Sequence, residues 1–463
     1  VWMVSIDQTA DGGFVLVASV MDYMHLRNDV FLVKTDQYGK REWTKSFEAG
    51  AGGETFDGGD DQGWDAVPLA DGDIIVASDG DGTGPGDRSV ILTKFQSDST
   101  YLWQNVYGGT FNDKPRRIIQ DSEGNVVVVG GTQNTSDQTE NVYILKVNPD
   151  DGEVIFANDY GESDGIQSGY DIVETLDGGY LIVGNHQQSG ETANLYFLKV
   201  NSDGSKAWSK IYNEENISEG SRIQQTDDGN YIVAGYTLIG EKGKEGYLVK
   251  IDSDAGVLWR KTFGTEHADA FRSVVQTTDG GFLCVGEINE FFSVEDVYND
   301  FWLLKTDKDG NFLWEKRYGG ELNDAGSDII AMQNGGYAAV GATVSYTVDS
   351  RILFIGINEQ GNIISAVNRD KDKTVPARFS LSQNYPNPFN PVTQISFRLF
   401  EPLDVNLSVY NVLGKQVAEL LNRQLVPGEH RVTFNASAFP SGTYIAKLQS
   451  GGYTQMRKML LLK

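Results

Sequence analysis

Cysteine and histidine are scarce in this chain, with one Cys and four His among 463 residues. The lone Cys284 excludes an intramolecular disulfide, and its setting in Phe282-Leu283-Cys284-Val285 reads as a small core residue. His25, His186, His267 and His430 fall in separate segments without metal-ligand spacing, which excludes the common zinc motifs. No run approaches the ~20 apolar residues of a spanning helix, so no transmembrane segment is expected. Basic residues are few: 38 Lys+Arg against 65 Asp+Glu leave a net charge of -27. That balance argues against nucleic acid or an anionic membrane as partner. His-Glu-x-x-His, the nucleophile elbow, the Walker loop and the dinucleotide-binding glycine motif are all missing. No catalytic residue is named from sequence, and whether the chain is an enzyme stays open.

Glycine, by contrast, is plentiful at 53 residues. Seven Gly-centred turns, each followed by an apolar strand, begin Asp11-Gly12, Asp71-Gly72, Glu123-Gly124, Asp177-Gly178, Asp228-Gly229, Asp279-Gly280 and Asn334-Gly335. Their glycines are spaced 60, 52, 54, 51, 51 and 55 residues apart, the period of a repeat architecture. Within the sixth unit, short strands are expected at 273–278, 282–286, 300–307 and 312–318, joined by Gly-bearing turns. Four antiparallel strands in about 50 residues make a propeller blade, and the helical spacers of βαβ units are absent. The expected fold is all-β: a seven-bladed β-propeller over residues 1–367.

Lys34, Lys94, Lys146, Lys199, Lys250 and Lys305 recur on the third strand, and Trp43, Trp103, Phe156, Trp208, Trp259 and Trp314 on the fourth. A residue repeated in nearly every blade is read as packing, the lysine stem on apolar surface and its ammonium paired to an acid. Blade seven lacks both. The chain opens at Val1 already inside a strand, so it reads as a processed or truncated product.

Three sets of residues are candidates for binding. Six residues before each turn the innermost strands carry Ser5, Asp65, Arg117, Asp171, Arg222, Ser273 and Asp328. That ring would be either an ion-pair network fixing blade spacing or a polar ligand site at the channel mouth, carried by Asp65, Arg117, Asp171, Arg222 and Asp328. Asp57, Asp60 and Asp61 with Asp79, Asp81 and Asp87 offer hard oxygens of the kind Ca²⁺ takes, though Val90 stands where an EF-hand loop has its bidentate Glu. No cofactor is required. The variable loops joining second to third strands form one face, the longest spanning 287–299 with Phe291 and Phe292, and an extracellular glycan or protein is the expected ligand.

Composition changes sharply after a polar linker at 368–378. Residues 379–463 hold 8 Lys+Arg and 4 Asp+Glu, leaving 30 and 61 for the rest. Strands are expected at 393–399, 405–411, 430–435, 442–448 and 456–462, the pattern of a small β-sandwich. Pro386, Pro388 and Pro391 keep the entry extended. Tyr385-Pro386-Asn387-Pro388-Phe389-Asn390-Pro391, the stretch around Gly414 and the stretch around Gly442 resemble the C-terminal sorting domain of the type IX (Por) secretion system. That resemblance implies export to the extracellular space or cell surface of a Gram-negative-type bacterium, with the translocon and sorting machinery as partners. The propeller is similar, more loosely, to uncharacterised secreted bacterial propellers. The expected role is a surface-directed binding or structural module, the alternatives being a glycan- or peptide-cleaving enzyme or a self-assembling surface subunit.

Overall fold

The computed structural model of the chain describes residues 2–22, 27–47, 61–81, 88–109, 112–133, 140–161, 165–188, 193–212, 218–239, 243–265, 267–293, 296–320, 322–344, 351–367, 379–382, 384–399, 403–411, 415–426, 428–450 and 453–462. Two compact units emerge, Val1–Glu315 with Glu321–Val375, and Pro376–Lys463 with Lys316–Gly320. The linker at 368–378 lies outside the described residues.

In the first unit, seven four-stranded sheets each take their strands in chain order, every described pair antiparallel. The innermost strands are Trp2–Gln8, Gln62–Pro68, Asp113–Gln120, Ile166–Glu174, Ser218–Gln225, Ala270–Gln276 and Asp324–Ala331. Each neighbours the next around the axis, and the seventh lies beside the first, so the ring closes as a seven-bladed β-propeller. Among the described residues, no strand is lent between the first and last blades. Closure rests on faces, where Val4, Ile6, Phe14 and Leu16 of blade one meet Ala338, Val340 and Phe354 of blade seven.

Local chemistry explains the repeats. In the turns, Thr9 and Thr277 hydroxyls donate to Asp11 and Asp279 at 2.6 Å, and the Gly13 and Gly281 N–H groups donate to the same carboxylates at 2.9 and 3.0 Å. The recurrent lysine of the same blade then reaches that carboxylate: Lys34 to Asp11 and Lys305 to Asp279 at 2.9 Å, Lys250 to Asp228 at 2.6 Å. Burial pushes Asp11 and Asp279 up, but the Thr and Lys hydrogen bonds outweigh it and hold both carboxyls at about 2. A Cβ on Gly281 would stand 2.4 Å from Lys305 Nζ and 2.2 Å from the Thr306 carbonyl, so blade six keeps a glycine there, whereas Asn230 takes the matching place in blade five. Blade seven has Gly356 in place of the lysine and Met332 in place of the threonine, so the circuit is missing there.

The outer aromatics reach across blades. Trp259 lies against the hairpin glycine Gly310 of the next blade, and Trp314 against Gly361, both so close that a Cβ would clash. At the closure, Phe354 fills this place against Gly39 and meets Phe14 at 5.1 Å between ring centroids.

Two sheets form the second unit, one ordered Phe379–Leu381, Val392–Leu399, Gly428–Asn435, the other Gln416–Leu425, Leu403–Asn411, Gly442–Ser450, Tyr453–Leu461. Their core includes Phe389, Ile395, Phe397, Leu407, Phe434 and Leu461. The charged strand Gln416–Leu425 is absent from the sequence expectation because only part of it is buried and no clean alternation marks it.

Candidate functional site

All seven innermost strands are irregular at the same place. The register slips between Gly63 and Asp65, Gly169 and Asp171, Gly220 and Arg222, Phe271 and Ser273, and Gly326 and Asp328, with matching slips at Trp2/Ser5 and opposite Val129/Gly130. A bulge adds one residue and re-aims the side chains beside it. Here the five charged residues converge on one centre.

Arg117 Nη1 lies 3.2 Å from Asp65 and 3.4 Å from Asp328, and its Nε lies 3.6 Å from Asp171. Arg222 is 3.6 Å from Asp171 and 3.4 Å from Asp328. Blade three thus pairs with blade seven across the axis. Each aspartate also accepts a main-chain N–H from the following blade: Ile118 to Asp65 at 3.0 Å, Ile223 to Asp171 at 2.7 Å and Ile6 to Asp328 at 3.4 Å. The Ser273 hydroxyl donates to Asp328 at 2.7 Å. These carboxylates tie blade two to three, four to five, and seven back to one.

Sequence reasoning missed a fourth carboxylate. Asp7 lies two residues beyond Ser5 on the first strand, accepts the Gln8 N–H at 2.7 Å and interacts with Arg117, Asp65 and Asp328. Burial raises it, Arg117 and the Gln8 N–H oppose, and the two neighbouring carboxylates add to the rise, leaving it at about 6. Burial likewise raises Asp65 and Asp171 against the pull of the arginines. For Arg117, burial is outweighed by Asp65, Asp328, Asp171 and Asp7, which hold the guanidinium charged. Four carboxylates share two guanidiniums.

Above this cluster lies the mouth on the loop face. Gly63 pairs with Ser78 and Asp81 with Arg88, so the bulges sit toward the ends where second strands pass to third. The bulge residues Trp64, Arg116 and Tyr170, from blades two, three and four, form a row. The Arg116 guanidinium stands 4.2 Å from the Trp64 ring centroid and 5.5 Å from that of Tyr170. Both rings are pinned: Trp64 Nε1 donates to Asp79 at 2.6 Å, and Asn185 donates to the Tyr170 hydroxyl oxygen at 3.0 Å. The glycine two residues before the axial position in blades two, four, five and seven was the available signal for the bulge.

Asp79 is wholly buried and also accepts Arg88 Nε at 2.5 Å, so a calcium ion would have to displace that guanidinium. Among the described residues, no group of three or more His, Cys, Asp or Glu could hold a metal. Asp57, Asp60, Asp87 and the Asp81 side chain lie outside them. The stretch expected as a loop at 287–299 instead continues the hairpin, with strands Phe282–Ser293 and Asp296–Thr306, because the ladder pairs on to Ser293 and the Asn289 N–H donates to Asp269 at 2.7 Å. The side chains of Phe291 and Phe292 lie outside the described residues.

In the second unit, Tyr385 is 83% exposed whereas Phe389 is buried. Asn387 accepts the Leu460 N–H at 2.8 Å, Phe389 N–H donates to the Leu460 carbonyl at 2.9 Å, and Leu462 N–H donates back to Phe389 at 3.0 Å. Asn384 donates to the Pro386 carbonyl and to Thr393 at 2.9 Å each. The proline-rich motif is therefore a clasp on the last strand. Gly442 opens the third strand of its sheet at φ +152°, and Gly414 lies outside the described residues.

The first unit is thus a β-propeller, and the second a small two-sheet unit closed by the proline-rich clasp. Residues 383–462 match the family of secretion system C-terminal sorting domains, so this unit is a sorting domain of the type IX secretion system. It directs the chain to the extracellular space or the cell surface and implies interaction with that machinery. No helix among the described residues is long and apolar enough to cross a membrane. No curated protein matches the chain by sequence. Among solved structures, a puromycin hydrolase mutant complexed with PGG is 13% identical at TM-score 0.51, over 85% of this chain and 58% of that one. PorZ, described as an essential bacterial surface component of the type IX secretion system of Porphyromonas gingivalis, is 11% identical at TM-score 0.39, over 99% and 59%. An α-L-arabinanase of Penicillium chrysogenum complexed with arabinobiose is 10% identical at TM-score 0.40, over 64% and 93%. The chain spans under two thirds of the first two proteins. At such identity the likeness concerns the fold alone.

Proposed function

We propose that the propeller, over 1–367, is a binding module displayed outside the cell, taking an extracellular glycan or protein at the loop-face mouth of its axis. The sorting domain, over 379–463, engages the translocon and sorting machinery. The observation that carries this reading is the row of Trp64, Arg116 and Tyr170, partly exposed and held in place, above acids already occupied by Arg117 and Arg222. Rigid aromatic anchors bind at low entropic cost, and the reading needs no cofactor. Screening the full chain on glycan and protein arrays tests it: hits are expected, and Trp64→Ala should abolish them. Hits indifferent to that substitution would move the site elsewhere.

One observation favours a hydrolase or lyase instead. Asp7, held at about 6 beside other carboxylates, has the poise of a general acid. Turnover of an array hit by the wild type, lost in Asp7→Asn, would establish that reading.

A further inference from the structure

Arginines near the axis have acids to answer them. Arg88 pairs with Asp79, Arg272 with Glu287, each at 2.5 Å, and Arg117 and Arg222 share the axial aspartates. Arg116 differs. Its guanidinium lies over the Trp64 ring at 4.2 Å and the Tyr170 ring at 5.5 Å and makes no hydrogen bond or ion pair with any described residue, in a chain with 65 acids. A half-buried cation left unanswered amid such an excess of acid is costly unless something else completes it.

We infer that Arg116 is the anion-recognition element of the mouth, and that its ligand is a saccharide carrying an isolated uronic-acid carboxylate. This rests on the reading of the mouth as a binding site. The two rings satisfy the guanidinium through their π faces and not through hydrogen bonds, so its N–H donors, which form a fork matched to a carboxylate, have no acceptor among the described residues. The flanking rings are held by hydrogen bonds to Asp79 and Asn185, so the surfaces the guanidinium lies against are in place before any ligand arrives. Other bulge positions of the same ring carry Ser221 and Ser327, neutral hydroxyls that suit a hydroxyl-rich partner, and Trp64 and Tyr170 are partly exposed aromatics of the kind that meets sugar C–H groups. A net charge of -27 on the chain repels a run of acidic residues and favours a single carboxylate among neutral sugars.

The test is titration calorimetry of the full chain with a trisaccharide bearing one glucuronate, against the methyl ester of the same sugar. The acid should bind at least about tenfold more tightly than the ester. Arg116→Gln should abolish the preference, bringing the acid to the affinity of the ester in the same variant, and Arg116→Lys should recover part of the difference. The comparison of acid with ester in the wild type needs no variant, so a misfolded substitution cannot decide it. Equal affinities for acid and ester would overturn the role of Arg116 while leaving the mouth a binding site, provided Trp64→Ala still abolishes both. Binding of neither sugar would overturn the uronate assignment, and the array screen would decide separately whether the mouth binds at all. Arg116-dependent binding of a peptide C-terminus with no saccharide binding would likewise overturn it.

Discussion

Asp7 illustrates how a single ionisable side chain couples the axis to pH. Its carboxyl is held at about 6 by burial and by Asp65 and Asp328, against Arg117, where an unfolded chain would have it near 3.8. A folded-state pKa above the unfolded one means that the stability linked to the bound proton is complete below about pH 4 and lost as pH rises through 6. Near neutral pH the ionised group is then a penalty of about 2 to 3 kcal/mol, at 1.36 kcal/mol per unit. Asp7→Asn should therefore raise the melting temperature at pH 7.5 and leave it unchanged at pH 4. A variant that melts lower at pH 7.5 would show that the charge is needed where it stands. Arg117 predicts the opposite sign. Removing one guanidinium from four carboxylates leaves uncompensated buried charge, so Arg117→Gln should cost about 3 to 5 kcal/mol in chemical denaturation, with partial recovery on acidification as the aspartates take up protons.

At the scale of the blade, the outer aromatics and the turn glycines form one device. Trp259 covers Gly310 of the next blade and meets Phe282 of that blade at 5.8 Å between centroids, yet part of the indole stays exposed. Trp259→Ala should lower stability by about 2 to 3 kcal/mol, below the usual cost of a fully buried Trp, and a thermal melt of the variant checks it. An unchanged melt would free the indole for another role. These repeats were legible because each turn must place a glycine where φ is positive, and Gly12, Gly72 and Gly280 stand at +83°, +92° and +78°. The axial charges were legible by counting back from those turns. What they pair with was not, since pairing across the ring joins residues such as Arg117 and Asp328 that share no local pattern. Trp64, Arg116 and Tyr170 escaped for a related reason. An extra residue in a strand breaks the alternation by which inward and outward positions are told apart.

For the whole molecule, the division of labour follows from the cores. The propeller clusters join facing blades, as where Leu181 and Phe197 of blade four meet Val233 and Tyr247 of blade five, whereas the sorting domain is built around Phe389, Phe397, Leu407 and Leu461. The buried residues of each of these clusters come from its own unit. Deleting residues 376–463 should therefore leave the propeller folded, with its cooperative melt and its protease resistance retained. The deleted chain loses the clasp that Asn387 and Phe389 make with the last strand, and with it the domain that addresses the type IX machinery. In a host with that system, the truncated chain should accumulate in the periplasm while the full chain reaches the surface. A subtler variant separates folding from address: Phe389→Ala removes a buried ring from the sorting domain alone, at a cost of about 3 to 5 kcal/mol, and should reduce surface display without changing the propeller's melt. Surface labelling of cells expressing each form, beside periplasmic fractions, decides the matter. Truncated protein found outside at the level of the full chain would mean that the propeller carries its own export signal.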